Sequence, residues 1–225
     1  MEKDDEFTLN FKKDYMILPV HIINLKQRIN RRQSIINEFK GKPFFNITIH
    51  EPITHSIGSY SLWLTFRKIV KECKDRKLSY FIFCEDDHVF TKDFSYEALI
   101  NNIQQAISLK AEILSGGVSW FDLPIKATSN LFYIDQFNGM QFTVIFESVY
   151  DKILDHDYTE ETVTDICLSN ICSNIFVMWP FLSVQKEFGY SDVTSFNNVP
   201  KYVEGLFEKT IKEFRVLEKV ENYYG

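Results

Sequence analysis

The segment Tyr80-Phe81-Ile82-Phe83-Cys84, followed at once by Glu85-Asp86-Asp87, constrains this chain more than any other. Five apolar or aromatic residues in a row read as a buried strand. Three adjacent acids at the mouth of a core strand repel one another and lose solvation, so a fold tolerates them best beside a cation. Alternation along a strand predicts Glu85 and Asp87 on one face and Asp86 on the other. The pair is an oxygen-only set suited to a hard divalent ion, Mn or Mg, with positions left for phosphate oxygens. The plainer alternative is an acid-tipped strand that is merely solvated or caps a following helix.

That strand belongs to an alternating pattern. A first strand is expected over Val20 to Leu25. A helix follows from about Asn30, its expected N-cap, to Lys40, with Ile35, Ile36 and Phe39 as its apolar stripe. Gly41-Lys42-Pro43 ends it, and Phe44 to Ile49 reads as a second strand. A long helix starting at Ser56 or Ser59 and running to about Lys74 carries Leu62, Phe66, Ile69, Val70 and Cys73 at helical spacing. After the acid-tipped strand, Tyr96, Leu99, Ile100 and Ile103 mark a helix, and Ile113 to Gly117 a strand with a tight end. Residues 118 to 133 read as loop, Phe137 to Phe146 as strand and Ser148 to Leu154 as a short helix. Val163 to Asn170 reads as helix and Ile175 to Met178 as a short strand broken by Pro180. Residues 186 to 199 read as loop. The closing helix, Val203 to Val220, places Phe207, Ile211, Phe214 and Leu217 on one face and balanced charges elsewhere. That suits docking on the domain, or on a second copy of the chain in a homodimer, better than lying on a membrane.

Strands alternating with helices predict a mostly parallel α/β sheet with helices on both faces. The whole chain, 225 residues, fits one domain, with residues 1–15 as an extension and 203–225 as a helix and tail. Ligands of such sheets bind at the carboxyl ends of the strands, where both chemical clusters of this chain lie. The net charge of −6 argues against nucleic acid, which calls for a basic footprint. Met1 to Asp5 is acidic and polar, unlike a signal peptide, and no apolar run is long enough for a transmembrane segment. Cytoplasmic placement is the expectation, with any membrane reached only through the acceptor. Cys73, Cys84, Cys167 and Cys172 fit no zinc spacing and read as reduced, mostly buried thiols.

Four constellations carry chemistry. Ile23-Asn24-Leu25 with Arg28, Arg31 and Arg32 sets guanidinium groups just past a strand end, where they suit a diphosphate or a nucleotide edge. A solvated helix face accounts better for Arg31 and Arg32 taken singly; Arg28, in the turn, is the stronger candidate. Glu85 and Asp87 would let an acidic protein hold an acidic donor through a cation. Asp86 is assigned to a ribose or sugar hydroxyl, and His88 is expected to be an exposed turn residue. Thr162-Val163-Thr164-Asp165 puts an acid in a helix's first turn, as a cap or as a general base. Trp179 to Gln185, with Ser191-Asp192 beyond, suits stacking on sugar faces, though core packing explains Trp179 and Phe181 equally well. Ser115-Gly116-Gly117 lets the backbone approach a ligand closely, or makes an ordinary tight turn.

The order of these motifs resembles glycosyltransferase family 25, the lipopolysaccharide-biosynthesis and collagen-galactosyltransferase group. Ile-Asn-Leu-x-x-Arg-x-x-Arg-Arg at Ile23 to Arg32 is similar to its opening, and Ile57-Gly58 before the helix with Trp63 to its next block. Phe81 to Phe90 resembles its acidic segment and Gly139 to Leu154 a later glycine block. Thr164-Asp165, Pro180 to Gln185 and Ser191-Asp192 resemble its closing pattern. The sequence departs from that pattern at Ser59, at Leu62-Trp63 and around Thr143. The resemblance implies a GT-A fold, a nucleotide-sugar donor (UDP-hexose), a Mn or Mg ion, and inverting transfer to a glycan, glycolipid or protein hydroxyl. It assigns Asn24, Leu25, Arg28, Arg32, Asp86 and Gly116 to the donor, Glu85 and Asp87 to the metal, and Asp165 to deprotonation of the acceptor. Three rivals remain. A phosphatase needs Asp where Glu85 stands. A nucleotidyltransferase lacks here its glycine-rich phosphate loop. The third is a non-catalytic nucleotide- or carbohydrate-binding module on the same fold.

Overall fold

The structure, a computed structural model, describes residues 15–159, 162–189 and 199–224. Strands and helices alternate through the first half: β1 (Leu18–Ile23), α1 (Ile29–Phe39), β2 (Phe45–His50), α2 (Gly58–Asp75), β3 (Tyr80–Glu85), β4 (His88–Phe90), α3 (Tyr96–Ser108) and β5 (Ile113–Ser115). Short strands follow: β6 (Trp120–Asp122), β7 (Ile125–Lys126), β8 (Leu131–Tyr133), β9 (Gln136–Asn138) and β10 (Phe142–Phe146). Then come α4 (Tyr150–Asp155), α5 (Thr164–Ile171), β11 (Ile175–Met178), β12 (Ser183–Gln185) and α6 (Tyr202–Tyr224).

One sheet of eight strands organises the molecule, in the order β2-β1-β3-β10-β5-β11-β8-β7. β2, β1 and β3 are parallel, as are β5 and β11; β10 and β8 run against their neighbours. The sheet is therefore mixed but mostly parallel, and its central strands read as continuous apolar runs because both faces are covered. Alternation sorts β3 cleanly. Phe81 and Phe83 join the core under α2, α5 and α6, whereas Ile82 and Cys84 join the core under α1 and α3. Two small hairpin-like pairs, β4 with β12 and β6 with β9, lie outside the main sheet.

Several boundaries differ from the sequence reading for physical reasons. The helix expected to be capped by Asn30 begins at Ile29, with Arg28 at the cap and no side-chain cap bond. There the Arg28 N–H closes a turn on the Leu25 carbonyl and runs straight into the helix. The stretch expected as loop over 118 to 133 holds three strands, because Leu131 and Phe132 are buried and β8 pairs with β11. The expected strand from Phe137 to Phe146 is split at Gly139, whose φ of +115° an ordinary side chain rarely adopts. His88, expected as an exposed turn residue, is buried, and its Nδ1 bonds the Ser183 hydroxyl at 2.7 Å. The four cysteines are free thiols. No helix of the described residues is long and apolar enough to cross a membrane.

The closing helix docks on its own domain. Phe207 and Phe214 are buried, and the Phe214 ring lies 4.5 to 5.4 Å from the rings of Phe121, Phe132, Trp179 and Phe181. Emptying that aromatic nest leaves a cavity its rigid neighbours cannot fill. Phe214→Ala is therefore expected to lose about 3–5 kcal/mol in urea unfolding. A loss under about 1 kcal/mol would show that α6 is a loosely attached appendage.

Candidate functional site

The carboxyl ends of β1 and β3 open into a cavity of about 660 Å³, within the range of small-molecule sites. Its walls come from the turn after β1, the loop before α2, the start of α2, the tip of β3, the β9–β10 turn and the start of α5. Asn24, Leu25, Arg28, Glu85, Asp86, Asp87 and Asp165 all line it, although they span more than half of the sequence. Arg32 and Gly116, expected at the donor, do not line it. Gly116 serves packing instead. Its N–H bonds Phe142 O, its carbonyl accepts from Leu182 and Ser183, and an added Cβ would sit 2.9 Å from the Phe142 ring. Ser191 and Asp192 lie outside the described residues.

Arg31, for which the sequence favours a solvated face, is the centre of the site. It shares one stripe of α1 with Ile35 and Phe39, at spacings of four, and all three are buried. The face that docks the helix thus carries the guanidinium to the β3 tip. Arg31 Nη1 donates to Asp86 Oδ1 at 2.9 Å and to Asp87 Oδ2 at 3.3 Å, and Asn24 Nδ2 donates to Asp86 Oδ2 at 2.8 Å. Asp86 and Asp87 therefore converge on one nitrogen. The alternation that would send them to opposite faces ends with the strand at Glu85, because Asp86 and Asp87 form a turn into β4. Asp86, assigned to a sugar hydroxyl, is only 6% exposed and has both oxygens bonded within the protein. Each oxygen already accepts one bond from within the protein, so Asp86 helps to organise the site.

The charges do not balance. Among the described residues four carboxylates line the cavity, those of Glu85, Asp86, Asp87 and Asp165, against two guanidinium groups, those of Arg28 and Arg31. Burial, followed by the charges of Asp87, Asp165 and Asp86, raises the Glu85 carboxyl well above its ordinary value, and Arg31 only partly opposes this. Burial likewise pushes Asp87 up to about 6 against the pull of Arg31. Asp87 Oδ1 is buried without a hydrogen-bond partner among the described residues. An orphaned carboxylate oxygen beside a second strained carboxylate is a fitting donor pair for a hard divalent ion. No three of these acids bring ligand oxygens within 4.8 Å of one another among the described residues.

Asp165 stands in the first turn of α5. Its Oδ2 accepts from Gly139 N–H at 2.9 Å and its Oδ1 from Ile166 N–H at 3.1 Å. Burial raises its carboxyl, and these backbone bonds oppose the rise. Gly139 is needed there, because its left-handed backbone aims the N–H at Asp165 and an added Cβ would sit 2.9 Å from Gln141 Oε1. Two helix starts also face the cavity. Neither α1 nor α2 has a side-chain cap or an acid in its first turn, which leaves their N–H groups and positive dipole ends for an anion.

No protein-family model matches the chain, and no curated protein sequence matches it. Several solved structures are similar in three dimensions at low identity. One is a glycosyltransferase involved in glycosylation of the major capsid of PBCV-1, at 11% identity over 84% of this chain and 98% of that one, with a TM-score of 0.47. Another is UDP-glucose pyrophosphorylase complexed with UDP-glucose, at 7% identity over 88% and 100%, with a TM-score of 0.46. A third is HddC from Yersinia pseudotuberculosis complexed with GMP-PN, at 13% identity over 86% and 100%, with a TM-score of 0.41. With TM-scores below 0.5, the fold rests on the sheet order and the site on its own geometry.

Removing one partner of a buried ion pair leaves uncompensated charge in a poor solvent. Arg31→Met is expected to lose about 3–5 kcal/mol at pH 7 in urea unfolding. Without the guanidinium, the Asp87 carboxyl rises beyond about 6. The native state then holds protons more tightly than the unfolded chain, and the loss should shrink as pH falls toward 4. An equal loss at both pH values would show that Arg31 acts through packing alone.

Proposed function

We propose that this chain is a metal-dependent glycosyltransferase of GT-A type that transfers a hexose from a UDP-sugar to a hydroxyl of a glycan, glycolipid or protein. The observation that carries this reading is the excess of buried carboxylate at the β3 tip, set beside Arg28 and two uncapped helix starts in one cavity. An acidic site and an acidic donor are compatible when a divalent cation lies between them. Glu85 and Asp87 would hold that ion, and Mn or Mg would neutralise charge growing on the leaving diphosphate.

The remaining roles belong to the chain's own residues. Arg28 and the N–H groups at the start of α1 bind diphosphate oxygens. Asn24, locked by Asp86, keeps an amide oxygen that is buried and unpartnered among the described residues, and in this reading it accepts a bond from the nucleotide. Asp165 takes the proton of the acceptor hydroxyl as the new bond to the sugar carbon forms. The bond from that carbon to the diphosphate oxygen breaks, and the electron pair leaves with the diphosphate. Attack from the face opposite the leaving group inverts the centre. Burial keeps Asp165 more basic than a solvated carboxylate, which favours proton transfer near neutral pH.

One observation favours a second reading, a nucleotide-binding module without turnover: both oxygens of Asp165 already accept backbone N–H bonds. Activity separates the two. A thermal-shift panel of nucleotides and nucleotide sugars with Mn identifies the donor, because a bound ligand raises the melting temperature by mass action. With that donor, wild type should release nucleotide diphosphate in a Mn-dependent manner, and Asp87→Ala should lose roughly a hundredfold or more. Unimpaired, metal-independent turnover in Asp87→Ala would remove Asp87 from the mechanism. Binding without turnover under all conditions would leave the module.

A further inference from the structure

Away from the cavity, the other face of the β1–β2 pair carries a cluster the glycosyltransferase reading does not use. His21 points from β1 toward α2 and is 2% exposed; half-buried His50 ends the edge strand β2. Their rings stack with centroids 5.0 Å apart, and His21 Nδ1 lies 2.8 Å from His50 Nε2. Glu72, on α2, brings a carboxylate oxygen to the same point, so that the three ligand atoms lie within 4.8 Å of one another. None of the three lines the cavity.

We propose that His21 Nδ1, His50 Nε2 and Glu72 bind one divalent ion of the zinc class. Two imidazole nitrogens and one carboxylate oxygen suit Zn, Co or Ni rather than Mg or Mn, which prefer oxygen alone. The outer environment matches a ligand role. His21 Nε2 lies 3.4 Å from Cys73 Sγ. A histidine that ligates through one nitrogen keeps its proton on the other and gives it to a neighbour. Burial, the neighbouring His50 and Arg76 lower His21 to about 4, and burial with Lys68 lowers His50 against the opposing charge of Glu72. Both are therefore neutral, as a metal requires, at neutral pH. As the ion enters, the ring that carries the proton between them gives it up there and takes one on its outer nitrogen, so both imidazoles stay neutral. Ligand bonds of about 2.0–2.1 Å at a tetrahedral angle need the two nitrogens roughly 3.3 Å apart. A shift of the half-buried His50 ring on an edge strand supplies the difference. Glu72 need only leave Lys68, a solvent-exposed partner at 3.9 Å, and such pairs are weak.

The ion would fasten the edge strand and its neighbour to the back of α2. The cavity wall at Pro52 begins two residues beyond His50, so occupancy stiffens the anchor of that wall. The site is independent of the glycosyltransferase reading. The test uses the full chain, stripped with chelator and dialysed against zinc, with bound zinc counted per chain. Wild type and Asp87→Asn should each hold one zinc. His50→Ala, and separately the more conservative Glu72→Gln, should bind at least about tenfold more weakly. Cobalt in wild type should give visible ligand-field bands that His50→Ala lacks. The proposal is overturned if wild type retains no zinc, if both cluster variants hold it as tightly as wild type, or if Asp87→Asn alone abolishes uptake.

Discussion

A buried guanidinium between two aspartates holds this structure's working end together. Arg31, Asp86 and Asp87 come from a helix and a strand tip 55 and 56 residues apart in sequence, and their contact fixes how α1 approaches the carboxyl end of β3. Such a contact is costly to break and not strongly stabilising in itself, because both partners lose water. Its value lies in geometry. Asp86 is held between Arg31 and Asn24 and so sets the turn after β1 and the tip of β3 in fixed relation.

The same contact underlies the proposal of a cation in the cavity. One guanidinium nitrogen serves both aspartates, but it cannot also neutralise Glu85 and Asp165, and Asp87 keeps an orphaned oxygen. The fold thus crowds buried carboxyl groups that resist ionisation at the place where parallel strands end and helix N-termini point inward. Strain of this kind is tolerated where a ligand relieves it. In the proposed complex a divalent ion with phosphate oxygens would relieve it from both sides, the ion answering the acids while Arg28 and the helix dipoles answer the phosphate.

What was legible in the sequence follows from which forces act locally. The acid-tipped strand and the stripes of α2 and α6 are one-dimensional patterns, and the fold repeats them; the alternation expected to part Asp86 from Asp87 is not repeated, because the strand ends at Glu85. The β8 strand was not legible, because Leu131-Phe132-Tyr133 becomes a strand only through pairing with β11. Gly116 looked like a ligand contact because a glycine pair after a strand is ambiguous; the Phe142 ring that excludes a side chain there is distant in sequence. Arg31 is the instructive miss. Its spacing of four from Ile35 and Phe39 was visible, and reading that stripe strictly would have buried it; charge alone argued for solvent. The His21–His50–Glu72 cluster had no motif to announce it, since strand pairing and helix docking bring its members together.

The central claim is that Glu85 and Asp87 take a divalent cation together with a donor's diphosphate. Anomalous diffraction at the manganese edge, from crystals grown with manganese and a nucleoside diphosphate, tests it most directly. The account predicts a manganese peak in contact with both carboxylates, with the diphosphate on its far side. Diphosphate bound in the cavity with no peak there, and with Asp87 still held by Arg31, would contradict it.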